Sequence, residues 1–139
     1  MAERWIDLDA WVSFPDALDD TTIAWCDDVA RHAPHRGIVV IDGIGWGGVL
    51  AYLIPRMLSS VRTVAVDEFP PERSRDDVVR MWSERAEYMF GRVTIVQGTS
   101  EYAASLLRPR SVDALLCTVE RSRHWNDRMK IGGLVKAHE

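Results

Sequence analysis

A chain of 139 residues with 47% hydrophobic and 27% charged residues is one globular domain's worth of sequence. Its net charge of −4 argues against a broad basic surface for nucleic acid and leaves room only for a local basic patch. The two cysteines, Cys26 and Cys117, lie far apart among apolar neighbours and read as buried free thiols, not as a disulfide framework.

The N-terminus "MAERWIDLDAWVSF" is acidic and broken by charges, unlike a signal peptide. No apolar run reaches the roughly 18 residues of a membrane span. A cytoplasmic protein is expected. This opening segment carries Trp5 and Trp11, and residues 1–36 are expected to form a helical cap over a pocket or a contact in a homo-oligomer. Within it, "DDTTIAWCDDVARHA" puts Ile23, Cys26, Val29 and Ala30 on one helical face, with Asp20 or Thr21 as the cap.

"GIVVID" follows as a short buried strand. "GGVLAYLIPRMLSS" has helical character interrupted by Pro55, which predicts a kink or a restart. "VRTVAV" is a second strand. "SRDDVVRMWSERAEYMF" is the clearest amphipathic helix, with Val78, Met81, Trp82 and Tyr88 or Met89 on its apolar side and Ser74 as its cap. "RVTIVQG" is a third strand, "SEYAASLL" a helix, "SVDALLCTV" a fourth strand, "RSRHWNDRM" a short polar helix or loop, and "GGLVKAH" a fifth strand. Strands that alternate with helices and read as continuous apolar runs predict a mostly parallel sheet of about five strands covered on both faces. The expected fold class is α/β, a Rossmann-like three-layer α/β/α sandwich forming a single domain over 1–139. Ligands in such sheets bind beyond the carboxyl ends of the strands.

The stretch "IVVIDGIGWGG" lies there. It places four glycines, Gly43, Gly45, Gly47 and Gly48, in six residues directly behind a strand and ahead of a helix. Glycines permit close backbone approach, and a helix start presents free N–H groups. A tight turn without a ligand uses the same residues. The second strand ends in Asp67, 25 positions after Asp42. A carboxylate at that strand tip can accept both hydroxyls of a ribose.

These segments resemble class I S-adenosylmethionine-dependent methyltransferases. "IVVIDGIGWGGVL" resembles the family's first motif and "TVAVDEF" its second. "VTIVQGTSEYAASL" is similar to the adenine-side segment, "VDALLCTVERSRHW" to the fourth strand with its following His, and "IGGLVKAHE" to the Gly-Gly strand that ends in His-Asp. The resemblance runs from about Gly37 to the last residue. It implies S-adenosylmethionine as cofactor and methyl transfer to an unidentified acceptor. It implies that Gly43, Gly45 and Gly47 line the methionine part, that Asp67 holds the ribose with Glu68 also among the cofactor-binding residues, and that Gly98, Thr99 and Ser100 flank the adenine. Glu120 is implied near the sulfonium or the acceptor, with His124 as a candidate base. A sulfonium gains from carboxylates or aromatic faces, which suits Asp42, Glu120 and Trp46.

The sequence also departs from the family. The acid two positions before the first loop glycine is replaced by Ile41, and Asp42 is shifted by one, which in a strand turns a side chain to the other face. Thr99 stands where an acid often follows Gly98, and "CTVE" replaces the Asp that ends the fourth strand. The family continues through two further strands where this sequence stops at Glu139, which predicts an open sheet edge. Glu120, His124, His138 and Glu139 form a second possible constellation, whose oxygen-rich ligation would suit magnesium. With the family's acids absent, no metal is expected. Arg108 and Arg110, and Arg121, Arg123, Arg128 and Lys130, form two basic groups that read as solvated faces or as contacts to a phosphate-bearing substrate. The alternative to an enzyme is a non-catalytic binding or oligomeric interaction protein that keeps the fold.

Overall fold

The computed structural model describes residues 6–139. Trp5 therefore lies outside the described residues. Five strands form one parallel sheet: β1 (Ile38–Asp42), β2 (Arg62–Asp67), β3 (Val93–Gln97), β4 (Val112–Thr118) and β5 (Met129–His138). Their order is β3-β2-β1-β4-β5, so the chain winds outward from β1 in both directions. The point where the order reverses lies between β1 and β4.

Every expected element is present, and the local chemistry explains its limits. Helix α1 (Asp20–His32) is capped by Asp19, whose carboxylate accepts the Thr22 N–H at 2.7 Å. The expected caps, Asp20 and Thr21, stand one and two residues too far along, because Asp20 is already the first helical residue. Backbone and hydroxyl donors hold the Asp19 carboxyl down at about 2. Helix α2 (Gly48–Leu53) ends where Pro55 begins to act, and the chain restarts as a 3-10 turn over Ile54–Arg56. Ser74 caps α3 (Arg75–Arg85) by accepting the Asp77 N–H at 3.2 Å. Tyr88 and Met89 lie beyond its end, in a 3-10 turn. Helix α4 (Ser100–Ser105) and the short α5 (Val119–Ser122), which runs into a 3-10 turn over Arg123–Trp125, complete the chain.

The strands read as apolar runs because both faces are covered. Val39 and Ile41 face the larger core with Trp25, Cys26, Val29, Leu50, Leu53, Val78 and Trp82. Val40 faces the smaller one with Ala103, Leu115, Cys117 and Trp125. Each fully buried aliphatic side chain in these layers stabilises by about 1.5–3 kcal/mol. The N-terminal segment is part of this packing. Phe14, Trp25, Cys26 and Val29 belong to the larger core, and Trp11 meets Tyr52 edge to face at 5.4 Å. The Trp25 indole donates to the Leu134 carbonyl at 3.3 Å and so ties α1 to β5.

Among the described residues β3 and β5 are the edge strands, and β5 is the edge expected to be open. β5 pairs only with β4, and Lys130–Gly133 bulge out of register between Met129 and Leu134, leaving Ile131 93% exposed. Among the described residues, no helix is long and apolar enough to cross a membrane.

The cysteines are free and buried. Burial pushes the Cys26 thiol up to about 12 and Cys117 up to about 11, with the neighbouring Asp27 and Asp42 carboxylates adding to it. In the unfolded chain both titrate near 9. Their protonated forms therefore stabilise the fold fully below that value, and this contribution is lost as pH rises through about 11 and 12. The urea midpoint is expected to fall above pH 9, and a thiol reagent is expected to label both cysteines only after unfolding.

Candidate functional site

A cleft of about 450 Å³ opens at the carboxyl ends of the strands, beside the switch point. Asp42, Gly43, Gly45, Asp67 and Glu68 line it, and Pro70, Arg73, Thr118, Arg121 and His138 join them. The sheet geometry explains the two acids. Asp42 is the register partner of Val66, and Asp67 is the next residue of β2. The two side chains therefore leave the sheet on opposite faces.

Asp67 lies on the glycine-loop side and is 6% exposed. Its carboxylate accepts the Ile44 N–H at 3.0 Å on one oxygen and the Phe69 N–H at 2.8 Å on the other. Arg73 donates to that second oxygen at 3.2 Å and, through its other terminal nitrogen, to the Gly45 carbonyl at 2.7 Å. Arg73 thus straps the acid to the loop.

Asp42 lies on the other face and is 1% exposed. It accepts the Trp125 indole N–H at 2.8 Å and the Arg121 guanidinium at 3.3 Å. Ile41, which stands in the position of the family's acid, points into the larger core. The one-residue shift has therefore turned the acid away from the glycine loop, towards a buried tryptophan. Both of its side-chain partners, Trp125 and Arg121, are thus on that face.

The loop is stitched down by side chains from distant segments. Gly43, Gly45 and Gly47 all adopt positive φ. Asp16 accepts the Trp46 N–H at 3.0 Å and the Gly48 N–H at 2.7 Å, so an internal carboxylate sits at the start of α2. A Cβ on Gly45 would meet Asp16 at 2.7 Å, and one on Gly47 would meet the Trp82 indole at 2.3 Å. Trp82 donates to the Trp46 carbonyl at 2.9 Å. The Trp46 side chain packs against the larger core and does not line the cleft. Trp46, expected from the sequence to stack on a ligand or plug the pocket, is thus not part of the cleft lining. The loop backbone is anchored on both sides of it, and the half-buried ring rests against the core.

Gly47, Gly98, Thr99 and Ser100 also lie outside the cleft lining. The Thr99 hydroxyl caps α4 by accepting the Tyr102 N–H at 3.1 Å, and Ser100 is buried. Glu120 lines an adjoining opening of about 460 Å³ with Arg121, His138 and Glu139. His124 lines neither opening. His138 lines both and is the imidazole that the topology brings to the site. Asp16, Arg73 and Trp125 were invisible as site residues in the sequence, and Arg121 stood there only as one of a basic group, because each acts on a partner that carries no local signal. No group of three or more metal-ligating side chains comes together among the described residues.

In sequence, the chain matches no protein-family model and no curated protein. In structure, it is similar to a protein of Corynebacterium glutamicum, with a TM-score of 0.68 at 17% identity over 86% of this chain and 58% of that one. It is similar to a methyltransferase from Geobacter sulfurreducens, with a TM-score of 0.63 at 20% identity over 85% and 59%. It is also similar to the fibrillarin of Aeropyrum pernix, solved with natively bound S-adenosyl-L-methionine, with a TM-score of 0.55 at 18% identity over 74% and 45%. The chain spans less than two thirds of the length of each of these three. The architecture is the Rossmann-like fold of class I methyltransferases, as the sequence motifs implied.

Proposed function

We propose that the cleft binds S-adenosylmethionine and that the chain transfers its methyl group to an acceptor yet to be identified. The observation that carries this reading is Asp67. It is a buried carboxylate at the tip of β2, aimed by two backbone N–H groups, beside a loop whose glycines turn through positive φ.

The residues present fit the cofactor. A carboxylate offers about four acceptor positions. The Ile44 and Phe69 amides take one on each oxygen, and Arg73 takes a third. Once Arg73 withdraws, one position on each oxygen is open, which is what a ribose diol requires. When bound, the cofactor supplies an electrophilic methyl group on a sulfonium. Methyl transfer needs alignment of acceptor, methyl and sulfur more than it needs a base. The tips of β4 and β5, with Glu120 and His138, are the nearest protein groups for orienting an acceptor, in preference to His124.

Arg73 is then a competitor for its own site. Arg73→Ala is expected to raise affinity for S-adenosylmethionine about tenfold, the equivalent of one ordinary hydrogen bond no longer displaced. Calorimetry checks this. Unchanged or weaker binding would mean that Arg73 does not compete with the ribose. The transfer itself is tested by following S-adenosylhomocysteine formation with cell extract as acceptor.

A second reading rests on the same geometry. Asp16 fills the start of α2 and Arg73 covers Asp67, as in a fold that has kept its pocket while losing transfer. Cofactor binding without any S-adenosylhomocysteine formation would favour it.

A further inference from the structure

The opposite end of the sheet carries a second and different site. A groove of about 580 Å³ lies where β1, β2 and β4 begin. Arg36, Arg62 and Arg108 line it, from three separate segments, over an apolar floor that includes Ile38 and Leu107. We infer that this groove binds an organic ligand bearing two or more phosphate charges.

Three observations support the assignment. First, the three guanidiniums are uncompensated. Among the described residues, none of them makes an ion pair or a side-chain hydrogen bond. Lys130 and Asp113 also line the groove, and they neutralise each other at 2.8 Å, so the acid there is already taken. A chain with 21 acids and net charge −4 has ample means to pair three arginines, yet leaves these together and free.

Second, the backbone holds them in place. Arg36 sits at φ 62 in a turn closed by the Gly37 N–H to the Pro34 carbonyl at 2.8 Å. Arg62 opens β2 directly beside Ile38, and its own N–H donates to the Gly37 carbonyl at 2.9 Å. The Ser111 hydroxyl donates to the Arg108 carbonyl at 2.7 Å and fixes the third. Third, the planar fork of arginine suits phosphate oxygens, and the apolar floor gives the organic part of the ligand a surface to rest on. Arg62 begins the strand that Asp67 ends, so the groove lies about 16 Å from the cleft and does not depend on it.

The test uses the full chain with three probes: inorganic tripolyphosphate, ATP and a fluorescent single-stranded oligonucleotide of about ten nucleotides, each titrated at low and moderate salt. The comparison is Arg36→Gln/Arg62→Gln/Arg108→Gln, whose exposed substitutions leave the core untouched; circular dichroism and the melting temperature confirm its fold. Binding of at least one probe, weakened about tenfold or more by the triple substitution, with a salt dependence reduced by about two counterions for the oligonucleotide, is the expected result. A free nucleotide is the ligand type if ATP binds as tightly as the oligonucleotide, and a nucleic-acid strand if the oligonucleotide binds more tightly. Failure of all three probes at millimolar concentration, or equal binding by the triple variant, overturns the assignment. S-adenosylmethionine affinity is expected to be the same in both proteins.

Discussion

Trp82→Ala is expected to destabilise the chain by about 3–5 kcal/mol, the range for emptying a buried tryptophan site. Trp82 is 1% exposed in the larger core. Its indole both packs beneath the glycine loop and donates to the Trp46 carbonyl at 2.9 Å. The two roles separate experimentally. Trp82→Phe keeps most of the packing and leaves one loop carbonyl without its donor, a loss of about 1 kcal/mol. Gly47→Ala attacks the same contact from the other side. It places a Cβ 2.3 Å from the indole nitrogen, at φ 101 where a side chain is already strained. In a Trp82→Ala background the steric part of that cost vanishes. The double-mutant cycle should therefore show a coupling of about 1–3 kcal/mol, read from urea denaturation. Additive effects would mean that the loop does not rest on Trp82.

Asp42→Leu is expected to cost about 1–3 kcal/mol, because it strands the buried Trp125 N–H. Arg121 suffers less, since its side chain is 38% exposed and can turn to water. Asp42→Asn keeps an acceptor for the indole and should recover most of the loss. Trp125→Phe in the Asp42→Leu background removes the stranded donor as well, and should recover part of the stability in the same way. Equal stability of the Leu and Asn variants would show that the indole bond contributes nothing. Although Asp42 lines the cleft, neither substitution is expected to abolish cofactor binding, since its carboxylate is 1% exposed and already held by Trp125 and Arg121. That separates its role from the role of Asp67.

The fold was legible because its signals are local. Continuous runs such as "IVVI" and "TVAV" need two covered faces, and their alternation with helices fixes a parallel sheet. The Ser74 cap, the interruption at Pro55 and the open edge beyond β5 follow from single residues or from where the strands fall. Asp67 was legible as a strand-tip acid beside the glycine loop for the same reason, since strand end and spacing place it. The consequence of the shift from position 41 to position 42 was readable in principle from strand alternation. Its outcome, a bond to Trp125, was not, because the partners are 83 residues apart. Asp16 reaches the loop from 30 and 32 residues away, and Trp82 from 36. Such contacts exist only after the layers have packed, so the loop read as more accessible than it is. Trp46 illustrates the error most plainly. Beside glycines it looked like a ligand platform or a plug, and its half-buried ring packs against the core instead of lining the cleft.

The proposal that this cleft is a nucleoside-cofactor site is tested most directly by calorimetric titration of S-adenosylmethionine into the native chain and into Asp67→Ala. Two charge-assisted hydrogen bonds to the ribose should make the difference about a hundredfold or more. Saturable one-to-one binding by the native chain, lost in the variant while its circular dichroism is retained, is the predicted result. No binding to the native chain at millimolar cofactor, or equal affinity in both proteins, would contradict it.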